Sequence, residues 1–287
     1  MKIRKDWQYM TLPEISNEVA RKTILTLIEY LYKEKDSRYS EANTLIVKNV
    51  ISVYAQYIKR SNYQVTIEAY KNKFIKNEAI VEPGVTKEEK MGLGLIYDYI
   101  SNYDFDKKEP NIFVEGMRLH ALLYSQTKAP EFGGKLRDTT AVLKDFAYDV
   151  PDAETAKREF QNYVTKRFEV NLNNIFAYID ESIRVAVDCI RLQPFGDGNK
   201  RVFRAILNLQ LARIGIPPLY IRQTERAIYK KALEKAIVDG DYQSITTFYY
   251  HKMCDAIIEL DLMKTQEITD ENSNTKKFVI LPKENDK

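Results

Sequence analysis

Glycine and proline are scarce in this chain, 10 and 9 residues of 287, and they cluster between segments of helical periodicity. Both residues punctuate local structure, so the chain has few turns and long helices must carry most of it. Apolar residues recur at helical spacing from about Pro13 to Lys33, with Ile15, Val19, Leu27 and Leu31 in the stripe. A second helix is expected from about Glu41 to Arg60 and a third near Val65 to Lys76. Thr86-Lys87-Glu88-Glu89 has capping-box spacing and should open a helix through Ile100. Pro110 suits a first helical position ahead of Ile112, Met117, Leu119 and Leu122. Asp152 should cap another helix. Asn173 to Leu192 places Ile175, Ile179, Ile183, Val187 and Ile190 on one face, and Pro194 forbids its continuation. Further helices are expected over Lys200 to Ile214, from Thr224 to near Gly240, and over Tyr242 to Leu260. Phe132-Gly133-Gly134 breaks the pattern, and Thr139 to Leu143 has strand character, so a short hairpin is expected between Lys128 and Val150. Phe278 to Leu281 reads as a short strand in an otherwise polar tail. The fold expected is all-α, or mainly α with one small β element.

Composition narrows the function classes. Apolar residues make up 44% of the chain, ample for a core. The 44 basic and 41 acidic side chains nearly cancel to a net charge of +3, without the clustered basic excess that a nucleic-acid binder shows. Two cysteines, Cys189 and Cys254, are too few for a disulfide framework. The first residues lack the apolar run of a secretory signal, and no stretch approaches 18 uninterrupted apolar residues. These features lead to the expectation of a cytoplasmic protein with no membrane partner.

One segment concentrates chemistry: Gln193-Pro194-Phe195-Gly196-Asp197-Gly198-Asn199-Lys200-Arg201-Val202-Phe203-Arg204. It joins two expected helices. Gly196 and Gly198 permit tight turns and close approach of backbone to a ligand. The amides opening the next helix lack intrahelical partners, and the helix dipole adds positive potential there. Lys200 and Arg201 stand in its first turn, with Arg204 three residues beyond Arg201. Cations at a helix N-terminus oppose the dipole, so they need a reason, and a bound polyphosphate supplies one. Asp197 is the carboxylate placed to hold a Mg²⁺ that bridges phosphates. The bland alternative is an ordinary interhelical turn with solvated basic residues.

The segment resembles the signature of the Fic (Fido) family, His-x-Phe-x-Asp/Glu-Gly-Asn-Gly/Lys-Arg-x-x-Arg. Phe195, Asp197, Gly198, Asn199, Arg201 and Arg204 match it, and Lys200 takes the residue seen in Doc-type kinases. Gly215 to Pro218, Arg226 to Leu233 and Gly134 to Arg137 extend the likeness over about residues 110 to 255. The resemblance implies a helical bundle with a β-hairpin flap, ATP and Mg²⁺ as ligands, and AMP transfer to a Ser, Thr or Tyr hydroxyl of a target protein. Gly196, Gly198, Asn199, Lys200, Arg201 and Arg204 would bind nucleotide, Asp197 the metal, and Val142 and Leu143 the target segment by strand addition. Tyr229 would join the nucleotide site near the adenine, although an aromatic at its helical spacing is more often core. His120 matches a histidine of the preceding helix and reads as structural. Ser37-Arg38-Tyr39-Ser40-Glu41-Ala42-Asn43 is similar to the family's upstream inhibitory helix, whose glutamate pairs with the second motif arginine, here Arg204. On that reading Ser37 and Glu41 are inhibitory; the alternative is a simple helix cap near Ser40. The resemblance also leaves room for a homodimer.

Gln193 departs from the pattern. The family's histidine accepts the proton of the attacking hydroxyl, and a neutral glutamine amide cannot. Three outcomes follow: slow AMP transfer, different phosphate chemistry set by Lys200, or nucleotide binding without catalysis. The domain organisation expected is a helical N-terminal region over 1–107, a Fic-like domain over 108–262 and a polar tail over 263–287.

Overall fold

The computed structural model describes residues 68–82, 84–105, 107–143, 146–166, 175–214, 216–253 and 255–256. The helices expected over Pro13–Lys33 and Glu41–Arg60 lie outside these residues, as do Ser37, Glu41, Cys254 and Phe278–Leu281. Within them the chain is helical: α1 (Glu68–Val81), α2 (Lys87–Ser101), α3 (Ile112–Tyr124), α4 (Ala153–Gln161), α5 (Ile175–Leu192), α6 (Asn199–Arg213) and α7 (Arg226–Glu234). Residues 243–253 form a further helical stretch. No described helix is long and apolar enough to cross a membrane.

Local sequence sets the boundaries. The Thr86 hydroxyl accepts from the Glu89 amide and the Glu89 carboxylate accepts from the Thr86 amide, closing the capping box that opens α2. Asp152 caps α4 by accepting from the Thr155 amide. At α3 the cap is Asn111, which accepts from the Val114 amide. Pro110 therefore stands before the cap, because the asparagine offers an acceptor that proline lacks.

Helix α6 is buried all round from Arg201 to Arg213, as expected of a central helix. Helices α2, α3 and α5 pack against it. The main apolar cluster among the described residues runs from Ala79 in α1 to Ala256, and a smaller one joins Tyr70, Phe74, Tyr97 and Tyr220. The Tyr70 hydroxyl of α1 donates to the Pro218 carbonyl at 2.9 Å, pinning α1 beside the turn that follows α6.

Helices α2 and α3 touch backbone to backbone at Gly92. A Cβ built there would lie 2.1 Å from the Leu123 carbonyl oxygen and 2.9 Å from that of Leu122. Neither carbonyl can yield without unwinding α3. Gly92→Ala should therefore destabilise the chain by about 3 kcal/mol or more, the upper end of overpacking costs. A urea midpoint that moves by less than the equivalent of about 1 kcal/mol would contradict this contact.

The expected hairpin is absent among the described residues. Leu136 makes one antiparallel bridge with Phe195, and the Arg137 amide donates to the Pro194 carbonyl at 2.9 Å. The Arg137 side chain donates to the carbonyls of Thr139 at 2.7 Å and Pro151 at 2.5 Å, tying the start and the far side of this stretch to one guanidinium. Residues 133–143 thus cross the loop before α6 as an extended segment.

Candidate functional site

The loop between α5 and α6 is built around Asn199. Its Nδ2 donates to the Phe195 carbonyl at 2.8 Å and to Gln193 Oε1 at 3.1 Å, while its Oδ1 accepts from the Phe195 amide at 2.9 Å. Both amide protons are engaged, so the side chain of Asn199, a residue expected to hold an anion, staples the turn. Gly198 closes the turn as the N-cap of α6 at φ +76°. A side chain there would meet both left-handed strain and Leu123 Cδ2 at 2.9 Å. No side chain caps α6 at this residue. Gly196 is exposed, and a Cβ there would touch the Phe132 ring at 3.0 Å.

Gln193 is buried and is the one described non-glycine residue at positive φ, +48°. Its Nε2 donates back to the Ile190 carbonyl at 2.6 Å and its Oε1 receives Asn199. Its own carbonyl accepts from Arg137 Nε at 2.6 Å. The side chain is folded onto the end of α5 and serves the turn.

Asp197 is the most open polar group here, its side chain 69% exposed. One carboxylate oxygen, Oδ2, accepts from the Tyr124 hydroxyl at 3.0 Å and from Arg201 Nη2 at 3.2 Å. Among the described residues no cluster of three or more metal-ligating side chains occurs. A single anchored, solvent-facing carboxylate fits a Mg²⁺ that arrives with phosphate oxygens and keeps its waters.

The three cations in the first two turns of α6 already have anionic partners. Arg204 Nε lies 2.8 Å from Glu78 Oε2 and its Nη1 lies 3.1 Å from Glu82 Oε1. Lys200 Nζ lies 3.3 Å from the other Glu82 oxygen and 5.8 Å from the centre of the Phe146 ring. Arg201 Nη1 lies 2.7 Å from Glu89 Oε1. The positive charge at this helix start is therefore neutralised by carboxylates from the end of α1, the residue following it, and the capping box of α2. Arg204 and Glu78 are each 3% exposed, and Glu78 Oε1 and Arg204 Nη2 have no partner. The surrounding carboxylates hold the Arg204 guanidinium well above its ordinary range, although burial opposes this.

Sequence reasoning placed the acid facing Arg204 at Glu41, which lies outside the described residues; among those described, Glu78 and Glu82 occupy that role. They stand four apart, Glu78 in the last turn of α1 and Glu82 just past its end. Glu78-Ala79 even repeats the Glu41-Ala42 dipeptide, but Phe74 and Ile80 stand where the upstream match has Ser37 and Asn43.

Tyr229 sits in the core and not in an open base pocket. It is 1% exposed, packed against Phe248 and Tyr249, with Arg204 5.8 Å from its ring centre. Val142 is 73% exposed on the crossing segment, whereas Leu143 is buried in the core. Of the two residues expected to meet a target, only Val142 is accessible.

His120 of α3 is fully buried beneath the loop. Its ring stacks on Phe195 at 4.1 Å and 9°, Nδ1 accepts from the Gly134 amide at 2.9 Å, and Nε2 lies 3.2 Å from the Asp197 carbonyl. Burial pushes its pKa down to about 4, only partly offset by the Asp197 carbonyl. The folded state thus favours neutral His120, while the unfolded chain takes up a proton near pH 6.5. The contribution is fully present above about pH 6.5 and is lost as pH falls toward 4, up to about 3 kcal/mol. Urea midpoints at pH 7 and 4.5 should show a larger acid loss for the wild type than for His120→Phe. Equal losses would contradict it.

Residues 115–211 match the family model described as Fic/DOC family. The chain is 26% identical over 222 residues to a protein adenylyltransferase Fic of Nematostella vectensis, covering 73% of this chain and 50% of that protein. It is 24% identical over 255 residues to a protein adenylyltransferase Fic of Aedes aegypti, covering 84% and 48%. The chain thus spans about half the length of these curated relatives. A solved structure of Fic-1 (aa134 - 508) from C. elegans superposes with a TM-score of 0.52 at 21% identity, covering 87% of this chain and 73% of that one. The matched region holds α3, the crossing segment, the Asn199-stapled loop and the cationic face of α6, and the chain therefore carries a Fic/DOC family domain.

Proposed function

We propose that the chain binds ATP with Mg²⁺ over the loop at Phe195–Arg204 and transfers AMP to a Ser, Thr or Tyr hydroxyl of a target protein, from a closed resting state set by Glu78 and Glu82. The observation that carries this reading is the pairing of Lys200, Arg201 and Arg204 with Glu82, Glu89 and Glu78. Three cations converge where a polyphosphate would lie, and three carboxylates occupy them in its place.

In the reaction the acceptor oxygen attacks the α-phosphorus, the bond to the β-phosphate oxygen breaks and pyrophosphate leaves. Asp197 would hold the Mg²⁺ that neutralises the phosphates. Arg204 Nε takes a phosphate oxygen only after Glu78 yields, since Glu78 holds it while Glu82 holds Nη1 and the unpartnered Nη2 is buried. Gln193 accepts no proton, so the hydroxyl proton goes to solvent and the rate is low.

The Gln193 geometry favours one rival. With both ends of its amide engaged by Ile190 and Asn199, the chain would bind nucleotide and stop there. Calorimetric titration of ATP, with and without Mg²⁺, separates the readings together with α-labelled ATP. Binding that needs the metal, tightens in Glu78→Ala and vanishes in Asp197→Ala supports the site. Label on protein supports transfer, and binding without label supports the silent module. No Mg²⁺-dependent binding even in Glu78→Ala would overturn the proposal.

A further inference from the structure

Asp197 is held at both ends by one helix. His120 and Tyr124 stand four residues apart on α3. Tyr124 donates its hydroxyl to the Asp197 carboxylate at 3.0 Å, and His120 Nε2 reaches the Asp197 backbone carbonyl at 3.2 Å. The opposite nitrogen of the same imidazole accepts the Gly134 amide at 2.9 Å. An amide N–H donates to Nδ1, so Nδ1 carries no proton and Nε2 carries the one given to Asp197.

Gly134 begins the segment that crosses the loop. Its neighbour Gly133 lies so close to α3 that a Cβ would come within 2.9 Å of Ala121 Cα. Two residues on, Leu136 bridges Phe195 and the Arg137 amide donates to Pro194. Phe195 is itself the ring on which His120 stacks. The imidazole is therefore the common member of three contacts: one to the crossing segment, one to the turn bearing Asp197 and one to the residue where those two strands of chain meet.

We propose that His120, as its neutral Nε2–H tautomer, is the positioning residue that fixes the Asp197 turn and the 133–143 segment in one register. This rests on the proposed function, in which Asp197 would hold the Mg²⁺ with its phosphates, and on the expectation that the exposed Val142 of the crossing segment meets the target. His120 touches no substrate. It acts by holding two substrate-facing pieces at a set distance from each other, and small misplacements of that kind cost orders of magnitude in rate.

His120→Phe keeps the stacked ring and removes both hydrogen bonds. Amide hydrogen exchange on the full chain should accelerate at least tenfold at Gly134 and across residues 195–199, while the midpoint of thermal unfolding moves by only a few degrees. Affinity for ATP–Mg²⁺ should fall at least tenfold, and affinity for ATP without metal should hold within twofold. A ring that merely fills the core would change thermal stability and leave the metal dependence alone. His120→Gln, which can still reach the Asp197 carbonyl, should recover part of the metal-dependent affinity. If His120→Phe does not fold, His120→Gln carries the exchange comparison, with acceleration expected at Gly134 but not at 197–199. Unchanged exchange at both segments, or wild-type ¹⁵N shifts showing a protonated Nδ1 at pH 7, would overturn the proposal. The exchange result judges His120 even if the chain binds no ATP, so its failure and that of the functional reading remain distinct.

Discussion

Gln193→His combined with Glu78→Ala should incorporate label from α-labelled ATP at least about 10²-fold faster than the wild type, and up to about 10⁴-fold, the range that a positioned general base contributes. Two separate obstacles are removed. Glu78 holds Arg204 Nε at 2.8 Å, so its loss frees that nitrogen for a phosphate oxygen. Gln193 sits at φ +48°, a conformation in which histidine is several-fold enriched over most residues, so the exchange suits the backbone. The turn also survives the change. Asn199 keeps its two bonds to Phe195 when the Gln193 contact is lost. The single variants should each gain far less than the pair. A base cannot act on a nucleotide that is not seated, and a seated nucleotide without a base reacts slowly. If the double variant binds ATP–Mg²⁺ and still incorporates no label, the loop is a binding module and the transferase reading fails.

That pattern also shows what the sequence could and could not reveal. The capping box at Thr86, the cap at Asp152, the stop at Pro194 and the Gly-rich turn before α6 are all decided by residues within four positions of one another, and each stands where local reasoning placed it. The partners of α6 are not local. Glu78 and Arg204 are 126 residues apart, and nothing near either of them names the other. The acid expected to face Arg204, Glu41, lies outside the described residues, and the pairing with Glu78 and Glu82 is an additional one that no local pattern names. Asn199 was read as an anion donor because its turn role depends on the backbone of Phe195, which a linear pattern does not show. Tyr229, near the nucleotide by the family likeness but more often core by its helical spacing, is enclosed by two rings and an arginine. The hairpin is absent among the described residues, where a buried arginine far from any local pattern takes the carbonyls of Thr139 and Pro151.

Arg204→Met should destabilise the chain by about 3–5 kcal/mol, the cost of leaving one member of a buried ion pair without its partner. Glu78 is 3% exposed and already has one unpartnered oxygen, so without Arg204 its charge has no compensation nearby. Arg204→Met with Glu78→Leu should recover most of that loss, because two apolar groups of similar volume need no solvation. Urea unfolding of the two variants and the wild type distinguishes this from a simple packing defect, in which the second substitution would only add to the first. On the proposed reading the same balance would make the pair a latch. The ion pair contributes little net stability, yet either member alone is costly, so the arginine will accept any buried anion that replaces Glu78. Saturating ATP–Mg²⁺ should therefore raise the melting temperature of Glu78→Ala, with about 2.7 kcal/mol available at a hundredfold excess over Kd, and raise that of the wild type much less. Equal shifts in the two proteins would mean that the nucleotide does not compete with Glu78 for Arg204.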